Sequence, residues 1–272
     1  MATQLGATRR GLPAPCGHRT KRTMPTTDHF SRQAAQYQAS RPDYPPGLFA
    51  LLAGVAPAQE LALDCATGNG QAALGLAAHF ARVVATDLSP AQLAHRRRAA
   101  QVHYLAAVAE RLPIAARSVD LVTVAQALHW FDLPAFYAEV RRVARPGAVL
   151  AAWSYGLVHV TPAIDAIVAR LYTDIVGAYW PPERSLVESG YRDLHFPFEP
   201  IRTPPLALRA EWPLARLVGY LASWSAVQRC KDATGTDPLR LVQDALGAAW
   251  GDAAAARSIH WPLALRVGRV PP

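Results

Sequence analysis

The chain has 272 residues, with 28 Lys and Arg against 20 Asp and Glu, a formal charge of +8 and 51% hydrophobic residues. This suffices for one large α/β domain or two small ones, and with 18% charged residues wholesale disorder is excluded. No apolar run reaches the ~18 residues of a membrane-spanning helix, and five of the positive charges sit in an acid-free stretch before Met24.

That stretch, with Arg9, Arg10, Arg19, Lys21 and Arg22 and scattered Gly and Pro, reads as a disordered basic tail over residues 1–27. It is expected to be either an organelle presequence or, the preferred reading, an extension upstream of a start at Met24; residues 28–272 then form one domain. The remaining arginines are dispersed. Their densest group, Arg96-Arg97-Arg98, lacks interleaved aromatics and reads as a solvated helix face, so no nucleic-acid partner is expected. Cys16, Cys65 and Cys230 are odd in number and scattered. They argue for a reducing compartment, hence a soluble cytoplasmic protein, and no His or Cys spacing suggests a metal.

From Pro46 to Leu52 the pattern predicts a helix, then a short strand at Glu60–Asp64. The turn Ala66-Thr67-Gly68-Asn69-Gly70 follows, and a helix over Gln71–Ala81. Arg82–Asp87 is a second strand; Ser89 caps a helix with Pro90 at its first position, running to Ala100. Strands follow at Val102–Ala106 and Val119–Ala125, a helix capped by Asp132 through Ala144, a turn at Arg145-Pro146-Gly147 and a strand at Ala148–Trp153. Such β-α alternation over residues 45–154 predicts a doubly wound parallel sheet that binds ligands beyond the strands' carboxyl ends.

Beyond residue 154 helical spacing at Pro162–Ala178 meets Pro181-Pro182, and His195–Pro205 is Pro-rich and irregular. Leu206–Trp212 alternates, Leu214–Ala222 and Pro238–Trp250 are helical, and Ile259 to Val267 alternate with period 2. Residues 155–272 are thus expected to add two closing strands and a cap that chooses the acceptor.

Gly68 and Gly70 let a ligand approach the backbone where the next helix starts, and Asp87, 23 residues after Asp64, stands where a carboxylate would accept from a ribose. Gly68 to Ala73 also matches G-x-G-x-x-A, which keeps an NAD(P)-dependent oxidoreductase open. Asp64 tips the choice: a carboxylate at the turn repels a pyrophosphate, whereas S-adenosylmethionine carries an ammonium and a sulfonium. The plainer alternative is that Asp64 and Asp87 merely cap the following helices.

Asp64 to Gly70 resembles the first motif, D-x-G-x-G-x-G, of class I S-adenosylmethionine-dependent methyltransferases, with Asp87 similar to the acidic end of their second strand. Ala109-Glu110-Arg111-Leu112-Pro113 resembles their A-E-x-L-P segment, Ser118 to Val122 their fourth-strand entry, and Arg142 to Gly147 their R-x-L-x-P-G-G turn. Phe30, Tyr37, Arg41, Pro42, Tyr44 and Pro45, with Ser223 to Ala226 and Trp261 to Leu263, are similar to the type 11, trans-aconitate-methyltransferase-like group. Ala66 replaces the usual first glycine, and Val108 an acidic residue that reaches the adenine.

The resemblance implies a Rossmann-like sheet of seven mostly parallel strands with an antiparallel C-terminal strand and a small helical cap. It implies a methyl donor, S-adenosylmethionine, held by Tyr37, Arg41, Asp64, Ala66, Gly68, Gly70, Asp87, Leu88, Ala109, Glu110 and Gln126. A small-molecule acceptor, a carboxylate or a hydroxyl, would meet His129, Trp130, Trp153, Trp224 and Ser225, with Tyr155 and Trp180 further candidates. His129 would be either a general base or a pocket-lining residue. A non-catalytic donor-binding relative is the remaining alternative.

Overall fold

The computed structural model describes residues 41–271; Phe30, Tyr37 and the basic tail lie outside the described residues. The central strands β1 (Leu61–Cys65) and β4 (Val119–Ala125) are buried almost throughout, which is why they are apolar on both faces. They pair in parallel, β1 also with β2 (Arg82–Asp87), β2 with β3 (Val102–Ala106), and β4 with β5 (Ala144–Tyr155). β8 (Arg257–Arg269) runs antiparallel to β5 and carries on its other side β6 (Glu199–Pro200) and β7 (Leu206–Trp212). The order is β3-β2-β1-β4-β5-β8-β6, with β7 on β8, eight strands where seven were expected. The extra one arises because β6 and β7 are two pieces of one edge. Glu199 pairs with Arg269 and Leu206 with Leu263, so the interruption through Pro204-Pro205 inserts one residue.

Two apolar layers cover the sheet. One contains α1 (Pro46–Val55), α2 (Gln71–Ala77), α5 (Pro162–Arg170), α7 (Leu214–Ala222), α8 (Ser225–Thr234) and α9 (Gln243–Trp250). The other is built on α4 (Leu133–Val143), whose Phe136, Tyr137, Val140 and Val143 face the sheet, and on α6 (Arg184–Glu188). Caps lie where the sequence put them: Asp132 Oδ1 accepts from Ala135 N at 3.4 Å, and Ser89 Oγ from Gln92 N at 3.3 Å, starting α3 (Pro90–Ala94). Among the described residues, no helix is long and apolar enough to cross a membrane, and no cluster of three His, Cys, Asp or Glu could hold a metal.

Several predicted boundaries move. α2 stops at Ala77 instead of Ala81, and α3 at Ala94 instead of Ala100, so Arg96-Arg97-Arg98 is not a helix face. The competing bonds are tertiary: Arg97 N donates to Asn69 O at 2.9 Å and Tyr104 Oη donates to Arg97 O at 2.6 Å, drawing the triplet onto the glycine turn. β5 starts at Ala144, which pairs with Val119, and Arg145 next to it donates to buried Asp120 at 2.9 Å. The Pro162–Ala178 span divides into α5, a π-turn at Leu171–Ile175 and a 3₁₀ turn at Gly177–Tyr179; Pro238–Trp250 divides into a 3₁₀ turn and α9. α8 was not expected, since it buries only Ala226, Val227 and Cys230.

Candidate functional site

The crevice lies at the carboxyl ends of β1, β2 and β4. β1 delivers Asp64 and Cys65 into a turn in which Ala66 has φ +53°, Gly68 φ +58° and Gly70 φ +89°. Glycine takes this conformation without strain, whereas an L-alanine in it costs about 1–2 kcal/mol. Ala66 therefore keeps the turn expected of a glycine, at a price. Gly70 is required twice, because a Cβ there would lie 2.0 Å from Tyr104 Oη.

Asp64 does not stand at the mouth of the turn. It is fully buried beneath it: Oδ2 accepts from Thr67 Oγ1 at 2.5 Å and Oδ1 from Thr123 Oγ1 at 2.7 Å, and it lies close to the backbone of Ala73 in α2. Burial pushes its pKa up to about 6 against the lowering effect of these donors, so near neutral pH it is a carboxylate held inside the fold. Its oxygens are turned to the loop, and its charge occupies the N-terminus of α2 from within, where a phosphate would otherwise bind. This is a stronger physical objection to a dinucleotide than repulsion at the mouth.

Asp87 ends β2, half-buried, and spans the turn: Oδ2 accepts from Gly68 N and Oδ1 from Ser89 N, both at 2.8 Å. Burial raises its pKa. Each oxygen keeps acceptor capacity for a further donor. Beside it opens a cavity of about 470 Å³ lined by Leu88, Ala106, Ala107, Val108, Arg111, Leu112 and Pro113. Leu88 is 57% exposed at its rim, an apolar side chain left open by the described residues. Ala109 is buried behind this wall, and Glu110 Oε1 accepts from Asp132 N at 3.0 Å, so Glu110 braces α4. The residues around this cavity and Asp87 could hold the base and the ribose hydroxyls of an adenosine-bearing donor.

The segment from Arg41 to Pro45 crosses the crevice. Arg41 Nη1 donates to Tyr155 Oη at 3.0 Å and its guanidinium lies 5.4 Å from the Tyr220 ring centre; Gln71 Nε2 donates to Pro42 O at 2.8 Å, and Arg97 pairs with Asp43 at 3.5 Å. Opposite, Gln126 follows β4 at φ +57° and the 3₁₀ turn Leu128–Trp130 begins. His129 Nδ1 is 3.0 Å from Tyr191 Oη, and its ring lies against Trp130, itself 47% exposed. Burial, and secondarily the Arg184 guanidinium, lower the His129 pKa to about 4. The Arg184 guanidinium lies over the Tyr172 and Trp180 rings, 5.2 and 4.7 Å from their centres, and Nε donates to Tyr172 Oη at 2.6 Å.

Of the expected acceptor residues, Trp153 is wholly buried in the core, edge-on to the Tyr44 ring at 5.5 Å between centres. Trp224 is 4% exposed and packs with Tyr172, Trp180 and Tyr220; half-buried Ser225 begins α8 beside it. Thr67, Thr123, Tyr191 and Arg184 were not singled out from sequence. Only Thr123 left a trace there, a lone hydroxyl inside the apolar strand VDLVTVA.

Residues 63–152 match a family model described as a methyltransferase domain. A protein of Dictyostelium discoideum named as a methyltransferase is 33% identical over 223 residues, covering 80% of this chain and 85% of that one. A solved structure described as a type II methyltransferase, from Anaeromyxobacter dehalogenans, is 50% identical, covers 85% of this chain and 99% of that chain, and superposes with a TM-score of 0.82. A malonyl-[acyl-carrier protein] O-methyltransferase of Dechloromonas aromatica is 39% identical over 105 residues, 39% of each chain. The finer trans-aconitate-like grouping rests on the sequence motifs alone.

Proposed function

The chain belongs to the class I S-adenosylmethionine-dependent methyltransferases, and on that premise we propose that it methylates a carboxylate oxygen of a small acidic molecule. Bound, the donor supplies an electrophilic methyl on a sulfonium. The chain's own task is then to fix two partners in line and exclude water. In this reading Asp87 accepts the ribose hydroxyls, Leu88 and the cavity beside it hold the base, with Ala109 backing the cavity wall and Glu110 bracing the neighbouring α4, and the backbone at Ala66, Gly68 and Gly70 lies along the donor. Arg41 takes the donor's carboxylate, with Tyr37 assigned the same neighbourhood by its motif, and Gln126 closes the far end. Asp64 shapes the turn and supplies its field from below.

The observation that carries the acceptor class is Arg184. Its guanidinium stands close enough to His129 to depress the imidazole's pKa, on a wall formed by Tyr172 and Trp180. A fixed cation on an aromatic wall suits an organic anion, and a carboxylate is already ionised, so no base is needed. The match to a malonyl-[acyl-carrier protein] O-methyltransferase supports the same chemistry. His129, Trp130, Trp224 and Ser225 are assigned to the acceptor side.

The test is an acceptor panel of carboxylic acids, alcohols, amines and thiols with methyl-labelled donor. Carboxylic acids should take up label as esters that release methanol in mild alkali, and Arg184→Gln should raise KM for them about tenfold or more, as expected for a charged hydrogen bond. Label held only in alkali-stable ether, amine or thioether would overturn the assignment.

A further inference from the structure

We propose that Tyr191 is a positioning residue that holds His129 in the Nε2-protonated tautomer, so that the imidazole offers the crevice an N–H donor rather than a lone pair. The proposal deepens the carboxylate reading: a donor can grip an acceptor oxygen that has no proton to lose, which a base could not do.

The reasoning starts from a strained residue. Tyr191 has φ +62°, an outlier for a bulky L-residue, and directly follows Gly190, also at φ +62°. The conformation is over-determined by its surroundings. Tyr191 N donates to Leu186 O at 2.9 Å, and Arg266 Nη1 donates to the carbonyls of Tyr191 and Leu194 at 2.5 and 2.7 Å. A Cβ at Gly190 would lie 2.7 Å from the Ala264 Cβ, so this glycine sets the chain hard against β8. The result is a phenol with no solvent exposure, delivered to one place.

At that place His129 Nδ1 lies 3.0 Å from the phenol oxygen. A buried phenol has one O–H to donate, and Nδ1 is the acceptor the structure gives it. Were Nδ1 protonated, the phenol would accept from it and its own O–H would be buried without that acceptor, the costlier arrangement. The bond therefore runs from Tyr191 Oη to Nδ1, and the proton of the neutral ring sits on Nε2. Separately, burial and the Arg184 guanidinium keep the ring neutral, which removes the third possibility of a doubly protonated donor. Of the four non-glycine residues at positive φ among the described residues, Ala66 and Gln126 follow β1 and β4 at this end of the sheet and Tyr191 contacts His129, which fits strain kept for positioning.

The experiment is long-range proton–nitrogen correlation on histidine-labelled full-length protein at neutral pH, with His129→Gln assigning the signals. Wild type should show His129 with an unprotonated Nδ1 and a protonated Nε2. Tyr191→Phe, which keeps the ring and removes the hydroxyl, should shift the tautomer ratio toward the Nδ1-protonated form by about tenfold, the worth of one buried hydrogen bond. A wild-type ring protonated on Nδ1, or a ratio that Tyr191→Phe leaves unchanged, overturns the proposal; the wild-type measurement can refute it even if the variant does not fold. Calorimetry with S-adenosylmethionine on the wild-type sample and the labelled acceptor panel test the methyltransferase and carboxylate readings independently of the tautomer.

Discussion

Replacing Ala66 by glycine should make the protein more stable. The residue holds φ +53° in the turn after β1, a conformation that costs an alanine about 1–2 kcal/mol and a glycine almost nothing. Against this, glycine gives the unfolded chain more freedom, which takes back about 0.4–1 kcal/mol. The net gain is up to about 1.6 kcal/mol, centred near 0.8, or a rise in Tm of about 2–3 °C and at most about 6 °C for a folded domain of this size. Differential scanning calorimetry on the full chain reads it directly. The turn's backbone is already in place with alanine, so affinity for S-adenosylmethionine, titrated in the same samples, should move by about twofold at most. A Tm that falls would refute the reasoning, because it would mean that the Ala66 methyl makes contacts worth more than the strain.

Gly70→Ala should act oppositely: φ +89° and a Cβ 2.0 Å from Tyr104 Oη combine strain with overlap, and a loss of about 2–4 kcal/mol is expected in denaturant unfolding, lessened when Tyr104→Ala is added. For Asp64, a carboxyl raised from 3.8 to about 6 binds its proton more tightly in the folded state than in the unfolded one. Its contribution is therefore fully present below about pH 4 and is lost as pH rises through about 6; over that window the stability margin of wild type over Asp64→Asn should fall by about 3 kcal/mol. Arg41→Leu should weaken donor affinity about tenfold or more by calorimetry while leaving Tm within a few degrees, since this half-buried side chain lies at the edge of the core against Tyr155 and Tyr220, where the leucine's apolar body can still pack. With its pKa near 4, His129 stays neutral above about pH 5, so it should contribute no ionisation to the kcat/KM profile between pH 6 and 8; an inflection there that His129→Gln abolishes would contradict this.

The parallel half of the sheet was legible because each strand is a short apolar run between recognisable turns, and because Ser89 and Asp132 are true caps. Helix ends were less so: α3 stops at Ala94 for bonds from Arg97 to Asn69 and from Tyr104 to Arg97 that link three separate segments. Asp64 was found, yet its place was misread, since a residue number does not say whether a carboxylate faces the crevice or the underside of the loop. Asp87 stands beside the turn as its spacing implied. Tyr191 and Arg184 could not be found, because each meets His129 only after the cap has folded back across more than fifty residues.

The interrupted outer edge formed by β6 and β7 has a consequence for the life of the protein in a crowded solution. Pro200, Pro204 and Pro205 take three N–H donors out of that border, and the inserted residue puts its two halves out of step. A foreign strand could not pair continuously along it, so the sheet ends there instead of offering a template for polymerisation.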